Sequence, residues 1–219
     1  MKPGARHRPV KPGSIGADGK RVKRPLPIAL ATLAAALAAG CGGASTRPAG
    51  GAPPPLPNPK LLVLHASDLG PGYLPQASAT KPITLAHELL HESAAARAAD
   101  RRAYLAGYSA GFARPARVGI VSEAMTYRDA AAAGVVIGDA QATAHITRRL
   151  HAHTIAVPPG APGTPRLMLE GTLEGLPAYA YGWQRGGVLE LIAVFGRHVT
   201  LSRLVALARI QDARLPATA

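Results

Sequence analysis

The segment His87–His91, His-Glu-Leu-Leu-His, has residue types and a spacing that could hold a metal ion. Side chains four positions apart project from one face of a helix, so His87 and His91 could share one zinc ion. Glu88 could then act as a general base toward a zinc-bound water. The alternative is a solvated pair of histidines beside carboxylates, because the leucines of this segment lie opposite the two imidazoles on a helical wheel.

This His-Glu-x-x-His pattern resembles the active helix of zincin metallopeptidases. The resemblance implies zinc-dependent peptide hydrolysis by His87, Glu88 and His91. However, the charged Glu92 follows the second histidine, where zincins usually carry uncharged residues, and no third ligand stands out in the sequence. We therefore expect the solvated pair, with no metal and no cofactor, and keep a zinc metallopeptidase using residues 87–91 as the alternative.

A second motif, Gly107-Tyr108-Ser109-Ala110-Gly111, resembles the nucleophile elbow of α/β-hydrolases. In that elbow the serine lies on a sharp turn from a strand into a helix. Here the pattern lies in a segment that alternates at strand period, and Pro115 follows where a helix should run. We interpret Ser109 as a small residue within a strand, and no catalytic residue is assigned.

Two further groups could bind a ligand. His151 and His153 could present two imidazoles on one face of a strand, but the arginines next to them favour a surface cluster. Tyr179, Tyr181 and Trp183 also alternate along a strand, and we interpret them as core or sheet-surface residues rather than as a ligand platform.

Cys41, the only cysteine of the chain, ends an uncharged segment near the N-terminus. Four basic residues within 20–24 precede Leu26–Gly40, which is short for a membrane span of about 20 residues and fits a secretory signal. Its end, Leu-Ala-Ala-Gly-Cys, resembles the lipobox of bacterial lipoproteins, in which the cysteine sulfur receives a diacylglyceryl group and the chain is cut before it. The resemblance implies a lipoprotein anchored to the extracytoplasmic side of the cell membrane through acyl chains on Cys41.

Composition divides the chain into three parts. Residues 1–40 are a basic, disordered n-region and a cleaved signal peptide. Residues 41–60 are the lipidated cysteine and a Pro/Gly-rich tether, whose extended reach is roughly 60 Å. Residues 61–219 are large enough for a single domain with its own core.

Charge follows the same division. Residues 1–40 contain 8 of the 25 Lys and Arg residues and 1 of the 12 Asp and Glu residues, which leaves a net charge of +6 for the remainder. That excess is compatible with an anionic lipid surface. No dense basic run with interleaved aromatic residues is present, so nucleic acid is not an expected partner.

The periodicity of the domain predicts the order βαββαββββα, an α+β fold with a largely antiparallel sheet and about three helices packed on one face. The first predicted helix begins at or after Thr84 and runs to about Arg102. The second begins at or after Asp129 and runs to about Leu150. The third begins at or after Thr200 and runs to the end of the domain. The predicted strands are Leu61–Leu64, Tyr104–Phe112, Val118–Tyr127, His153–Val157, Leu167–Leu173, Ala178–Gln184 and Val188–Phe195. The layout resembles small exported α+β modules of the PsbP type.

These observations predict a membrane-anchored lipoprotein with an outward-facing domain that binds a ligand or scaffolds an envelope assembly. Membrane lipid, reached through Cys41, is the expected partner. Besides the zinc metallopeptidase, one more alternative stays open, a carrier of lipid or another apolar ligand. That carrier would need a cavity of several hundred Å³, on the order of ligand pockets in general.

Overall fold

The computed structural model describes residues 57–85, 91–115, 118–164 and 166–216. Its centre is one antiparallel sheet of eight strands in the spatial order β1-β3-β4-β8-β7-β6-β5, with β2 also paired to β3. The strands are β1 Leu74–Pro75, β2 Lys81–Ile83, β3 Tyr104–Arg114, β4 Val118–Tyr127, β5 His153–Thr154, β6 Arg166–Leu173, β7 Leu176–Arg185 and β8 Val188–Phe195. The predicted α+β class with a largely antiparallel sheet is confirmed.

Six α-helices lie among the described residues. They are α1 Pro59–Leu62, α2 Ala66–Leu69, α3 Ala94–Ala103, α4 Ala130–Ile137, α5 Ala140–Arg149 and α6 Leu201–Asp212. The prediction of about three helices was too low, because the N-terminal region adds two single-turn helices and one predicted helix is divided. No helix in the described part of the chain has the length and hydropathy needed to cross a bilayer.

The predicted helix from Asp129 to about Leu150 is two helices, α4 and α5. Gly138 ends α4, and the side chain of Asp139 begins α5 by accepting a hydrogen bond from the Gln141 amide at 3.2 Å. A glycine followed by a capping aspartate stops one helix and starts the next.

The predicted helix ending at about Arg102 is not continuous either, since His91–Ser93 are not helical. Ser93 caps α3 through its hydroxyl, which accepts from the Ala96 amide at 3.3 Å. The Ser93 amide itself donates to Asp139 at 2.6 Å. Since that amide bonds to a side chain on another element, it is not available to continue a helix from the preceding residues.

The prediction of a strand at Leu61–Leu64 was wrong, because Leu61 and Leu62 lie in α1. Asn58 caps this helix by accepting from the Lys60 amide at 3.0 Å, and Pro59 occupies its first turn. Asparagine followed by proline is a standard start of a helix, and here it decides the local structure over the apolar run.

Helices cover both faces of the sheet, which corrects the prediction of a single covered face. Every residue of β8 is buried. Ile192 belongs to a core cluster with Leu204 of α6, whereas its neighbour Leu191 belongs to a cluster with Ile146 of α5. Because successive strand residues point to opposite faces, α1, α2 and α6 lie on one side of the sheet and α3, α4 and α5 on the other.

Candidate functional site

Three acidic side chains are buried where the start of α3 meets the start of α5. Glu92 precedes α3, Asp100 lies within it, and Asp139 caps α5; their exposed fractions are 1%, 0% and 6%. Asp139 accepts the two backbone hydrogen bonds described above, so its carboxylate is satisfied. Glu92 and Asp100 face each other, with Arg97 donating to the Glu92 carbonyl oxygen at 2.7 Å.

Burial favours the protonated form of both Glu92 and Asp100. Burial raises the pKa of Glu92 to about 8, and the charges of Asp100 and Asp139 act in the same direction. Burial also raises the pKa of Asp100, while hydrogen bonds from Tyr127 and Glu92 lower it. Two adjacent carboxyl groups in a dry site cannot both ionise easily. Because both side chains are buried, the pair lies out of reach of a substrate in solution.

His91 lies beside this pair and stacks on His145 of α5. The two ring centroids are 3.5 Å apart and the ring planes differ by 9°. Burial lowers the pKa of His145, and the neighbouring His91, Arg149 and Arg148 contribute further. Both effects favour the neutral imidazole, which is the form that stacks without charge repulsion.

The zinc hypothesis depends on three residues, of which His87 and Glu88 lie outside the described residues. His91 is described, and it lies before α3 rather than within a helix. It stacks on His145 with the two ring planes 9° apart, and its pairing with His87, which the hypothesis requires, lies outside the described residues. Within the described ranges, no group of three or more His, Cys, Asp or Glu side chains is placed to hold a metal ion.

Ser109 is a buried strand residue, as predicted. It is 2% exposed in β3, and its hydroxyl donates to the Ala79 carbonyl oxygen at 3.1 Å. The neighbouring Gly111 explains the small residues of this motif, because a Cβ there would lie 2.3 Å from the Ala79 Cβ. The Gly-x-Ser-x-Gly pattern thus permits close packing of the segment around Ala79 on β3.

The aromatic residues of β7 belong to the core. Tyr181 and Trp183 are both 0% exposed and stack with centroids 5.0 Å apart. Tyr179 is half-buried at the edge of the same cluster, and its hydroxyl donates to Glu170 at 3.1 Å. The interpretation was core or sheet surface, and the structure places Tyr181 and Trp183 in the core and Tyr179 at its edge.

His151 and His153 are both exposed, as expected of a surface cluster. His151 lies in a turn with a φ of 43°. His153 lies 3.9 Å from Glu170 across β5 and β6. Among the described residues, neither belongs to a group of three or more side chains that could hold a metal ion.

The sequence reasoning missed a buried carboxyl group on β8. Glu190 is 0% exposed, and its backbone pairs with Trp183 on β7. Burial raises the pKa of Glu190 to about 8, with the charge of Asp212 acting in the same direction and the nearby polar groups of Gln211 and Trp183 opposing it. The sequence did carry a signal for this buried group, because Glu190 is the single charged residue among the seven apolar residues of β8.

Cys41, the predicted lipid attachment residue, lies outside the described residues.

Comparison with known proteins identifies no family. No family model matches the chain, and no curated protein matches it. Among solved structures, the chain is similar to the extracellular domain of PknH from Mycobacterium tuberculosis, with a TM-score of 0.44 and 13% sequence identity; the alignment covers 71% of this chain and 94% of that one. At this distance the likeness does not bear on function.

Proposed function

We propose that the protein is a lipid-anchored lipoprotein whose domain faces outward from the membrane and binds a ligand or scaffolds an assembly. One observation carries the proposal: the only cysteine of the chain, Cys41, directly follows the uncharged segment Leu26–Gly40. Two acyl chains on one residue hold a protein stably at a bilayer, whereas a single chain gives only marginal binding.

The position of the first helix supports the same proposal. α1 begins at Pro59, so residues 42–58 separate the anchor from the folded elements. This segment is rich in proline and glycine and spans up to about 50 Å when extended. It would let the domain move freely while it remains close to the headgroups.

Binding or scaffolding is favoured over catalysis by how the reactive side chains are used. The Ser109 hydroxyl is bonded to Ala79, and Glu92 and Asp100 are buried against each other. A nucleophile or general acid must reach the substrate. In the described residues the Ser109 hydroxyl instead links β3 to the segment around Ala79, and Glu92 and Asp100 are enclosed by the fold.

The test is the cellular distribution of the full chain with and without the cysteine. The unmodified protein should sediment with membranes and enter the detergent phase of a Triton X-114 extraction. The Cys41→Ala variant should lose detergent-phase partitioning, and the neighbouring Ser45→Ala variant should behave as the unmodified chain. Equal partitioning of the Cys41→Ala variant would overturn the proposal.

A further inference from the structure

The helices α3, α4 and α5 form one layer on a single face of the sheet, here called the helical layer. Ala99 of α3 and Val136 of α4 share a core cluster with Met125 of β4. Ile146 of α5 shares another cluster with Val121 of the same strand. Val121 and Met125 are four residues apart on β4 and therefore face the same side.

The outer surface of the helical layer combines arginines with small uncharged side chains. Its exposed charged residues, including the two that precede α4, are Arg101, Arg102, Arg128, Asp129, Arg148 and Arg149. The other exposed positions of these three helices are alanines, apart from Val135 and Gln141. Most exposed side chains between the arginines in the described helices are therefore small.

The acidic residues of this layer do not neutralise the arginines. Glu92, Asp100 and Asp139 are buried beneath the surface. Asp129 is exposed, but its carboxylate caps α4 by accepting from the Ala132 amide at 2.7 Å. Among the described residues of this layer, Asp129 is thus the one exposed acidic side chain, and the exposed charge of the layer is mainly positive.

The five exposed arginines differ from those on the opposite side of the sheet. None of their five guanidinium groups makes a hydrogen bond or ion pair with another described residue. By contrast, Arg203 and Arg209 of α6 donate to the carbonyl oxygens of Leu69 at 2.9 Å and Gly160 at 3.1 Å. The guanidinium groups of α6 stabilise the fold, whereas those of the helical layer have their donors available.

We propose that the outer surface of the helical layer docks on the anionic phospholipid headgroups of the membrane. This inference rests on the proposed function, because the tether would keep the layer within reach of that surface. A guanidinium group presents a planar fork of donors that matches a phosphate group. Two consecutive arginines at the end of α3 and two at the end of α5 would each contact headgroups, with the alanines between them allowing close approach.

A bilayer suits this surface better than a nucleic acid does. Single-stranded nucleic acid is bound on exposed aromatic side chains interleaved with basic ones. No exposed Phe, Tyr or Trp lies in the described helices α3, α4 and α5. A broad surface of arginine and alanine instead provides charge without base stacking, as a headgroup layer requires.

The test measures co-sedimentation of the mature chain, residues 41–219 with Cys41→Ala, with lipid vesicles. Vesicles of equal parts phosphatidylglycerol and phosphatidylcholine should bind the protein, pure phosphatidylcholine vesicles should not, and binding should weaken between about 0.05 M and about 0.3 M salt. Each arginine lost should weaken partitioning about five-fold, so Arg148→Gln with Arg149→Gln should weaken it roughly 25-fold. Arg101→Gln with Arg102→Gln should do the same.

The matched control is Arg203→Gln with Arg209→Gln, which removes the same two charges from the opposite side of the sheet. Partitioning of this variant should change less than about two-fold, with folding of all variants verified by circular dichroism. Equal losses in the control and the helical-layer variants would overturn the proposal, since net charge alone would then explain binding. Absence of binding to phosphatidylglycerol, or arginine-dependent binding to double-stranded DNA without vesicle binding, would also overturn it.

This experiment is independent of acylation, because the chain used lacks the modified cysteine. Failure to bind vesicles would remove the docking surface and leave anchoring through Cys41 intact. Failure of acylation at Cys41 would remove the anchor and leave the vesicle result unchanged. The two proposals therefore fail separately.

Discussion

Glu190→Gln tests whether a protonated carboxyl group is part of the folded core. Glu190 is fully buried on β8, and burial raises its pKa from the ordinary 4.5 to about 8. Below pH 4.5 the group is protonated in both the folded and the unfolded chain and does not alter stability. Between pH 4.5 and about 8 the unfolded chain releases this proton while the folded chain keeps it, so the free energy of unfolding falls as the pH rises.

The size of the effect follows from this interval. Each pH unit corresponds to 1.36 kcal/mol for one proton, so the interval from 4.5 to about 8 gives roughly 5 kcal/mol. Glutamine has nearly the same shape and does not ionise. In the Glu190→Gln variant, the fall in the free energy of unfolding with rising pH should therefore be smaller by the contribution of about one proton. It should be as stable as the unmodified chain, or about 1 kcal/mol less stable, near pH 5, and several kcal/mol more stable near pH 8.5.

The assay is urea unfolding of the mature chain at a series of pH values, followed by circular dichroism. Fluorescence of Trp183, the only tryptophan, serves as a second probe, although it pairs with Glu190 across the strands. Glu174→Gln, in the exposed turn between β6 and β7, is the matched control and should keep the full pH dependence. Parallel pH profiles for the Glu190→Gln variant and the unmodified chain would refute the reasoning, because Glu190 would then be ionised in the folded state.

Three further substitutions test other contacts of the fold. Gly111→Ala should lower the free energy of unfolding by about 1–3 kcal/mol, because its Cβ would lie 2.3 Å from that of Ala79. Thermal melting should show that stability recovers when Gly111→Ala is combined with Ala79→Gly. No recovery in the double variant would contradict the contact. Gln211→Ala should lower the free energy of unfolding in urea by about 3 kcal/mol, since it leaves the buried Ser122 hydroxyl without its acceptor at 2.6 Å. A loss below about 0.5 kcal/mol would show that this hydrogen bond contributes little. Glu92→Gln should flatten the pH dependence of stability between about pH 4.5 and about 8, because burial raises the pKa of Glu92 to about 8. An unchanged profile of stability against pH would show that Glu92 does not keep its proton in the folded state.

Local signals in the sequence predicted the hairpins of the fold. The alternating segment from Tyr104 and the pair Gly186-Gly187 predicted β3 and the turn between β7 and β8, and both are present. In that turn Gly186 has a φ of 57°, which glycine adopts without strain. The start of α6 after Thr200 was also predictable, because its hydroxyl caps the helix within a few residues.

Contacts between distant residues could not be predicted in this way. The break before α3 depends on a hydrogen bond from Ser93 to Asp139, which are 46 residues apart. The stacking of His91 on His145 likewise requires the helices to be packed first. The coverage of both sheet faces, however, had a local signal, since β8 is an almost continuous apolar run, as expected of a strand buried on both sides.

The most direct test of the central claim is the mass of the N-terminal peptide of the mature protein, purified from the membranes of the cells that produce it. Anchoring through Cys41 predicts a peptide that begins at Cys41 and carries a diacylglyceryl group on its sulfur. A peptide that continues from Gly40 through an unmodified Cys41 in the membrane fraction would contradict lipid anchoring at this residue.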